Sequence, residues 1–455
     1  MSIEQAIFGR LILPLAYRAT DDRRLRDIPP LLASERWEPE RLREAQLSKL
    51  RTLLVRADAH VPYYRELFRD LSFDPNETRS GDLGRLPVLT REIIKERLPD
   101  LRDESILDVD VVRDATGGST GTPMEFFHDR RYRALAVASA YRTRMWAGWR
   151  PGARMAWIWG APQETRAWTT PRGRAIGWAN RNIYFDAFSA GRREMTAWAD
   201  RIRRFSPEFV YGYASSIAYF AQHLSDRGDT ISGIRGVFST AERLHGWQRS
   251  IIESVLGAKV YDHYGSREVK SIAAQCEAGN LHVLADMNVV DVEEPGTEGS
   301  PLVITCLDNH AMPFVRYRIG DVGRLRPGLC SCGRTLPMMD LDIGRETDIF
   351  VTPEGRHFHG EYFTHLFYGV SGVARFQFYQ PAVEKVILRF VPEPSFDAST
   401  RATLESFQER VRKDISPSLA LELAAVKDIP LSPTGKFRFT WSDVSVGRPD
   451  PTARP

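Results

Sequence analysis

The sequence predicts an α/β protein with a large N-terminal domain and a small C-terminal α+β domain. Its 455 residues exceed what one hydrophobic core of ordinary size supports. Between about residues 110 and 310, short β-branched or aromatic runs alternate with amphipathic helical patterns, which is typical of partly parallel sheets. After "DIGRETDIF" the pattern changes to two strand-like runs and one amphipathic helix. We therefore expect an N-terminal domain over 1–343, a C-terminal domain over 344–445 and a disordered tail over 446–455.

The first 75 residues are expected to form a helical lead-in. Leucines recur at helical spacing between charged residues in "ERLREAQLSKLRTLLVRADA", which predicts a helix that faces the core. The first twenty residues hold a short apolar segment, but Arg10 and Pro14 interrupt it and no small-residue cleavage site follows. We expect no signal peptide there. A helix packed on its own domain is the preferred interpretation, and an amphipathic helix that contacts a membrane or a partner is the alternative.

Secondary structure in the middle of the chain follows from the same patterns. Strands are predicted at "MAWIWG", "FVYGY", "GVFST", "KVYDHYG" and "LVITCL", and helices at "SIAYFAQHLSDRG" and "RLHGWQRSIIESVLG". In the C-terminal domain, "ARFQFYQ" and "KVILRFV" are predicted strands and "STRATLESFQERVRKDI" is a predicted helix. These assignments give the chain its α/β character.

Composition excludes several classes of protein. The net charge is only +3, so nucleic acid is not an implied partner. No run of about 18 uncharged apolar residues exists, so we expect no membrane-spanning segment. Four cysteines are too few for a disulfide scaffold of this length, and without a secretion signal they predict reduced thiols in the cytoplasm. A homodimer is left open.

The segment "ATGGSTGTP" is the first candidate for chemistry. It lacks the spacing of a Walker loop or of a dinucleotide-binding motif. Its glycines allow backbone N–H groups to turn inward, and its hydroxyl side chains add donors, as anion binding requires. A Gly-rich hairpin explains the same residues equally well.

Three further segments are weak candidates when each is taken alone. Tyr264 and Glu268 flank a Gly265–Ser266 turn after an apolar strand, where a carboxylate suits a hard cation and a ring suits stacking. Asp321 ends the strand-like "RYRIGD", where it suits ribose hydroxyls or simply caps a turn. Lys436 follows a Pro-Thr-Gly turn and either stabilises a developing negative charge or is an exposed surface lysine.

Cysteine and histidine form a fourth candidate, a metal site. Cys330 and Cys332 lie in "GLCSCGRTLP", and Cys276 and His282 lie in "AAQCEAGNLHV". The Cys-x-Cys spacing is tighter than the usual zinc knuckle, so local spacing alone does not favour zinc.

The order and spacing of these segments resemble the adenylate-forming superfamily of acyl-CoA synthetases. The resemblance is closest to its phenylacetate-CoA ligase-like branch, which includes members found near polysaccharide gene clusters. It covers roughly residues 40 to 440 through "ADAHVPYYRELF", "LPVLTREII", "ATGGSTGTP", "FSTAERL", "YGSRE", "RYRIGD", "CSCGR", "DIGRETD" and "PTGK". The fold implied is a large multi-sheet adenylation domain with a small mobile C-terminal domain.

The resemblance implies a two-step reaction. A carboxylate attacks the α-phosphate of ATP to give acyl-adenylate and pyrophosphate, and a thiol, most often coenzyme A, or an amine then displaces AMP. ATP, Mg²⁺ and coenzyme A are the implied cofactors and co-substrates, and the C-terminal domain would rotate between the two steps. Similar Cys, His, Cys and Cys positions in some phenylacetate-CoA ligase-like proteins favour structural Zn²⁺ at Cys276, His282, Cys330 and Cys332.

Site residues carry over position by position. The glycine-rich loop would cradle the phosphates, with Thr120 also catalytic, and Lys436 would bridge the acyl carboxylate and the α-phosphate. Glu268 would bind Mg²⁺, Asp321 would hold the ribose, and Arg345 near the hinge would contact ribose or phosphate. The remaining nucleotide-binding or acyl-binding positions implied are Ser119, Gly121, Thr122, Glu242, Tyr264, Gly265 and Ser266.

One departure from the family pattern leaves alternatives open. The loop often ends in Gly-Lys-Pro in the superfamily, and here Thr122 stands where that lysine is expected. The leading hypothesis is an acid-CoA ligase for an aryl or other small carboxylic acid. An amide ligase acting on an amine such as an amino sugar is the first alternative, and a non-catalytic nucleotide-binding scaffold is the second.

Overall fold

The structure of the chain is a computed structural model. It describes residues 3–19, 24–79, 81–116, 124–160, 168–187, 192–242, 244–293, 300–343, 349–367, 370, 372–429 and 439–444. Among these residues, no helix combines the length and the apolar character that a membrane crossing needs.

Helices dominate the N-terminal part of the chain and flank the strands that follow. A π-helical turn at Phe8–Ile12 joins the first two helices, and short 3₁₀ turns occur at Pro75–Glu77, Asp82–Arg85 and Asp108–Asp110. The α-helices are α1 (Ile3–Ile7), α2 (Leu13–Ala19), α3 (Arg24–Ser34), α4 (Pro39–His60), α5 (Pro62–Asp70), α6 (Arg91–Arg97), α7 (Arg130–Trp146), α8 (Pro171–Ala179), α9 (Arg192–Phe205), α10 (Ala214–Asp226), α11 (Gly246–Leu256), α12 (Glu361–Leu366) and α13 (Ala398–Asp414).

Strands form one large sheet, one four-stranded sheet and two hairpins. They are β1 (Val111–Ala115), β2 (Glu125–Asp129), β3 (Met155–Trp159), β4 (Asn182–Asp186), β5 (Phe209–Tyr213), β6 (Gly236–Thr240), β7 (Val260–Tyr264), β8 (Ala273–Gln275), β9 (Leu281–Val283), β10 (Asn288–Val292), β11 (Pro301–Cys306), β12 (Tyr317–Arg326), β13 (Met338–Ile343), β14 (Ile349–Val351), β15 (His357–His359), β16 (Val373–Ala382), β17 (Lys385–Pro392), β18 (Ala420–Ala425) and β19 (Thr440–Ser442).

The large sheet has the order β10-β11-β12-β13-β9-β8-β7-β6-β5-β3-β4. Neighbours among β4, β3, β5, β6 and β7 run parallel, and the other neighbours run antiparallel. The prediction of a partly parallel sheet is confirmed. Because parallel strands end at one edge, the loops after β5, β6 and β7 lie side by side.

Local sequence sets the ends of the lead-in helices. Pro39 is the first residue of α4. A backbone N–H at this position has no partner within the helix, so proline, which lacks the N–H, loses no hydrogen bond there. Val61 is extended, with φ −117° and ψ 106°, because the following Pro62 disfavours helical backbone before it. The Asp129 side chain accepts from the Tyr132 N–H at 2.6 Å and caps α7. The helix predicted in the leucine-rich segment is confirmed as α4.

Two clusters of buried apolar side chains hold the molecule together. The first joins the N-terminal helices to the antiparallel half of the large sheet. The second joins the parallel strands and their helices to apolar residues between Phe350 and Leu421. In this C-terminal region, α13 packs on the sheet β18-β17-β16-β19 through Leu404, Phe407 and Val411. The predicted boundaries of the domains, at 343 and 445, stay predictions.

Candidate active site and metal centre

Glu268 lies in a buried polar cluster just beyond β7. Its side chain is 2% exposed, and its Oε1 accepts a hydrogen bond from the Tyr317 hydroxyl at 2.8 Å. Arg91 Nη2 donates to the same oxygen at 3.3 Å, and Arg91 Nε donates to the Tyr317 hydroxyl at 3.3 Å. Burial and the Glu268 carboxylate raise the pKa of Tyr317, so its phenol stays protonated as a donor. Sequence reasoning assigned no role to Arg91 or Tyr317.

Backbone pairing explains how Arg91 reaches this cluster. The Leu89 N–H donates to the Arg316 carbonyl at 2.9 Å, and the Arg318 N–H donates to the Leu89 carbonyl at 3.0 Å. This bridge holds "LPVLTREII" against the start of β12 and places Arg91 at the first position of α6. Both segments were part of the family resemblance, so the sequence marked them without showing that they meet.

A second hydrogen bond joins two predicted site residues. The Tyr264 hydroxyl donates to Asp321 Oδ2 at 2.9 Å, and Asp321 is 8% exposed. β12 lies four places from β7 in the sheet, which is about 19 Å in a flat sheet. The sheet therefore curves strongly enough for a side chain of one strand to contact the other.

The geometry of the turn after Tyr264 accounts for Gly265 and Ser266 in the sequence. A Cβ at Gly265 would lie 2.3 Å from the Lys270 carbonyl oxygen, so only glycine allows this close backbone approach. The Ser266 hydroxyl accepts from the Val269 N–H at 3.0 Å. Gly265 and Ser266 thus shape the loop that carries Glu268, and nucleotide contacts at these positions stay predictions.

Glu242 lies at the neighbouring strand end. Its Oε2 accepts from the Ser215 backbone N–H at 2.9 Å, so the carboxylate faces the positive end of α10. The preceding Ala241 has a φ of 68°, which is uncommon for a non-glycine residue and is found at sites where function fixes the backbone. The ends of β5, β6 and β7 therefore each contribute a residue to this edge.

The strands around the glycine-rich segment form a hairpin, β1 and β2, which packs on the Glu268 loop. His128 Nε2 lies 2.8 Å from the Glu268 carbonyl oxygen, and burial together with Lys270 lowers the pKa of His128 to about 4, so the neutral ring donates there. Arg267 Nη1 also donates to the Ala115 carbonyl at 3.5 Å. The described strands of this hairpin thus lie against the loop that carries Glu268.

Several predicted positions lie outside the described residues. They are Ser119, Thr120, Gly121, Thr122, Arg345 and Lys436. Their roles stay predictions from the resemblance, and the anion-binding interpretation of the glycine-rich loop stays open beside the observed hairpin.

A pocket lies between α7 and the parallel strands. Its empty space amounts to about 310 Å³ when the part that is open to solvent is counted. Aromatic rings from "FVYGY", "GVFST" and "KVYDHYG" form much of its wall, and His263, next to Tyr264, also lines it. We call this space the α7 pocket; its lining residues are Ala140, Thr143, Arg144, Tyr211, Phe238, Tyr261, Asp262, His263, Ala274 and Gln275.

The two Cys-containing segments meet in a compact cluster of four side chains. The Sγ atoms of Cys276, Cys330 and Cys332 and a ring nitrogen of His282 all lie within 4.8 Å of one another. Cys276 Sγ is 3.7 Å from Cys330 Sγ, and Cys332 Sγ is 3.4 Å from His282 Nε2. Three thiols and one imidazole are the donor set of a closed, tetrahedral zinc site.

Surrounding groups orient these four side chains. His282 Nδ1 lies 2.8 Å from the Leu336 carbonyl oxygen, which fixes the proton on Nδ1 and leaves Nε2 for a metal. Burial raises the pKa of the Cys330 thiol, but hydrogen bonds from the Asn280 amide and the Cys332 backbone N–H lower it to about 6. The residues present therefore fit Zn²⁺, and the site would tie the β8–β9 hairpin to the loop before β13.

Replacing Cys330 by serine is expected to abolish metal binding and to lower the melting temperature, because three ligands no longer complete the tetrahedron. Metal analysis of protein purified without chelator should find about one zinc per wild-type chain. The matched control is Cys306→Ala, which removes a fully buried thiol outside the cluster and should keep the metal. Less than half an equivalent of zinc in the wild type would contradict the assignment.

Comparison with known proteins supports the family resemblance. Residues 350–443 match the family model described as the CapK C-terminal domain. A phenylacetate-coenzyme A ligase from Thermus thermophilus is 26% identical over 329 residues, which cover 69% of this chain and 72% of that protein. Protein CapK of Staphylococcus aureus is 20% identical over 389 residues, covering 84% of this chain and 85% of that one. These matches support the resemblance of this chain to the adenylate-forming superfamily, in its phenylacetate-CoA ligase-like branch together with CapK.

The fold agrees with the resemblance to the adenylate-forming superfamily. A crystal structure of 2-hydroxyisobutyryl-CoA ligase in complex with 2-HIB-AMP and CoA, in the thioesterification state, matches with a TM-score of 0.61 and 22% identity. The match covers 90% of this chain and 92% of that one. The predicted fold class is confirmed, with a large multi-sheet domain and a small C-terminal domain.

Proposed function

We propose that this adenylate-forming enzyme activates a small or aryl carboxylic acid with ATP and transfers the acyl group to coenzyme A. In the first step a carboxylate oxygen attacks the α-phosphate, and pyrophosphate leaves. In the second, the coenzyme A thiolate attacks the acyl carbon, and AMP leaves. The proposal is carried by two contacts between the end of β7 and β12, Tyr264 with Asp321 and Glu268 with Tyr317, beside a strand whose residue His263 lines the α7 pocket.

The nucleotide would bind at the carboxyl ends of the parallel strands. Asp321 would accept hydrogen bonds from the ribose hydroxyls, and the Tyr264 hydroxyl holds its carboxylate in place at 2.9 Å. Glu242 and Tyr264 would border the adenine and the acyl group. The glycine-rich loop, from Ser119 to Thr122, would cradle the phosphates, a role supported by the packing of its hairpin on the Glu268 loop.

Glu268 would hold Mg²⁺, since a carboxylate offers the hard oxygen donors that this ion prefers. When bound, the ion would neutralise charge on the ATP phosphates. Arg91 and Tyr317 fix the carboxylate for this role. Arg91 and Arg267 also place positive charge beside the hairpin, where it would replace the loop lysine that this chain lacks.

The C-terminal domain would carry Lys436 to the reacting carboxylate and α-phosphate in the first step and would rotate away for the second, with Arg345 near the hinge. These roles rest on the family resemblance. Zn²⁺ at the Cys and His cluster would be structural, since four protein ligands leave no open position for chemistry.

The test is acid-dependent release of pyrophosphate from ATP and Mg²⁺ across a panel of aryl, aliphatic and hydroxy acids. Coenzyme A is then added, and the thioester is identified by mass spectrometry. We expect one class of acids to support both steps. If no acid supports pyrophosphate release, the catalytic proposal is contradicted, and the non-catalytic nucleotide-binding scaffold becomes the preferred function.

Amide formation is the second candidate. It rests on the family resemblance, in which an amine can take the place of the thiol as the acyl acceptor. Acid-dependent pyrophosphate exchange without thioester, together with amide formation when amino sugars are added, would select this function.

A further inference from the structure

We propose that the α7 pocket selects an acid that carries a second anionic group, such as a small dicarboxylic acid, and that Arg144 binds this second group. The inference rests on the proposed function, since it takes the pocket to hold the acyl chain while ATP activates the other carboxylate. It makes Arg144 a specificity-determining residue.

Arg144 is a buried cation that has no anionic partner among the described residues. It lies in the last turn of α7, is 8% exposed and lines the pocket. Its guanidinium carbon lies 4.6 Å from the centre of the Tyr211 ring and 5.2 Å from that of Trp157. Across the described parts of the chain, no residue accepts a hydrogen bond from its side chain or forms an ion pair with it. Contacts with ring faces offset only part of the cost of burying a charge.

A neighbouring arginine shows the usual arrangement. Arg142, two residues earlier in α7, is fully buried and forms a bidentate pair with Asp286 at 2.6 and 3.2 Å. The protein thus supplies a carboxylate where an α7 arginine is structural. Arg144 receives none from the part of the chain that the structure describes, and it lines the pocket.

A row of aromatic side chains gives the bound acid a direction. Four of them stand in register across β3, β5, β6 and β7; the last three line the pocket, and Arg144 lies over the first two. The row consists of Trp157, Tyr211, Phe238 and Tyr261. An acid lying along this row places its far end under the guanidinium.

The other end of the pocket lies towards the predicted adenylation site. His263 follows Tyr261 on the same face of β7, about 7 Å closer to the carboxyl end of the strand, and Tyr264 comes next. His263 Nε2 is shielded from solvent and has no hydrogen-bond partner among the described residues. The carboxylate to be activated would lie at this end, and the second anionic group at Arg144.

Charges on the surrounding elements agree with an anionic ligand. Arg144 is the only positively charged residue among those described that line the pocket. Burial and the Arg144 charge lower the pKa of His263 to about 4, so His263 is neutral. Asp262 also belongs to the lining, but its carboxylate accepts from Ser239 at 2.8 Å, and both residues lie one position off the aromatic row, on the opposite face of their strands.

Matched pairs of acids test the inference. Phenylacetate is compared with 4-carboxyphenylacetate, and hexanoate with adipate, by acid-dependent pyrophosphate release. We expect the dicarboxylate of each pair to have the higher kcat/KM in the wild type. In Arg144→Met, the ratio of dicarboxylate to monocarboxylate should fall by about thirtyfold or more, as when one partner of a buried charge pair is removed. Arg144→Lys should restore part of that ratio.

The matched control is Arg235→Met. Arg235 also lies over an aromatic residue of β5, Phe209 at 5.5 Å, but it is half exposed and lies outside the α7 pocket. This variant should keep the wild-type ratio. Arg144→Met should also fold without loss of melting temperature, because it removes a cation for which the described residues supply no carboxylate partner.

Binding without catalysis separates this inference from the proposed function. Adipate should raise the melting temperature of the ATP-free wild type and not that of Arg144→Met. Activation of acids with an unchanged ratio in Arg144→Met would overturn the role of Arg144 and leave the ligase function standing. Stabilisation by adipate without pyrophosphate release would support the Arg144 site and contradict the ligase function. If adipate does not stabilise the protein and no acid supports pyrophosphate release, both the Arg144 site and the ligase function are contradicted.

Discussion

Replacing Glu268 by glutamine is expected to slow acyl-adenylate formation by about a hundred- to a thousandfold, the usual cost of removing one group that stabilises charge at a reaction centre. Glutamine keeps the shape and an acceptor for the Tyr317 hydroxyl, but it removes the negative charge that would bind Mg²⁺. The rate is measured as acid-dependent pyrophosphate release over a range of Mg²⁺ concentrations. The half-saturating concentration of Mg²⁺ should rise in the variant.

The control for this prediction is Tyr317→Phe. It keeps the carboxylate and deletes one hydrogen bond to it, so the rate should fall by only about threefold to tenfold, in line with about 0.5–1.5 kcal/mol for one such bond. Circular dichroism must show that both variants are folded, because Glu268→Gln leaves the largely buried Arg91 without its counter-ion. Equal rate losses in the two variants would show that the charge of Glu268 is not what the reaction needs.

Replacing Asp286 by alanine is expected to lower the free energy of unfolding by about 3–5 kcal/mol, because it leaves the charge of the fully buried Arg142 unpaired. The carboxylate accepts two hydrogen bonds from Arg142 and a third from the Ser34 hydroxyl at 2.6 Å. These contacts join α3 and α7 to the turn before β10. Denaturant unfolding at neutral pH measures the loss.

An exposed pair gives the contrast. Arg235 Nη1 and Glu208 Oε2 lie 3.0 Å apart, but the arginine is half exposed. Glu208→Gln should therefore lower the free energy of unfolding by at most about 1 kcal/mol. Similar losses in Asp286→Ala and Glu208→Gln would refute the importance of burial.

The Asp286 pair also predicts how stability depends on pH. Burial raises the pKa of Asp286, but the Arg142 charge and the hydrogen bonds from Arg142 and Ser34 outweigh it and hold the pKa below the ordinary 3.8. A carboxylate with a lowered pKa in the folded state contributes stability above its unfolded pKa and loses it as the pH falls through the folded one. The difference in stability between wild type and Asp286→Ala should therefore shrink below about pH 4.

Local sequence predicted much of the fold because its rules act over a few residues. The spacing of leucines predicted α4, and alternation of strands and helices predicted the partly parallel sheet. The order of the short motifs also pointed to Glu268, Tyr264 and Asp321, since turns after strands are where such sheets bind ligands. Cys276, His282, Cys330 and Cys332 were grouped correctly from two separate segments.

What stayed hidden depends on contacts between distant segments. The sequence alone does not distinguish Arg91 from the other arginines. The bridge between Leu89 and Tyr317 places its side chain within hydrogen-bond distance of Glu268. Nothing in "YRTRMW" separates Arg142 from Arg144, although one meets a carboxylate and the other faces a pocket. Helical rotation and the packing of α7 on the sheet make that difference.

By itself, the sequence determined the class of fold, the family and the residue types available for chemistry, because propensity, periodicity and short motifs are local properties. Only the tertiary structure decided which of those residues share a site. The curvature of the large sheet brings Tyr264 to Asp321 across four strand positions, and His128 of β2 packs on the loop that carries Glu268. The physical reason is that curvature and packing depend on the whole apolar core, which no short segment encodes.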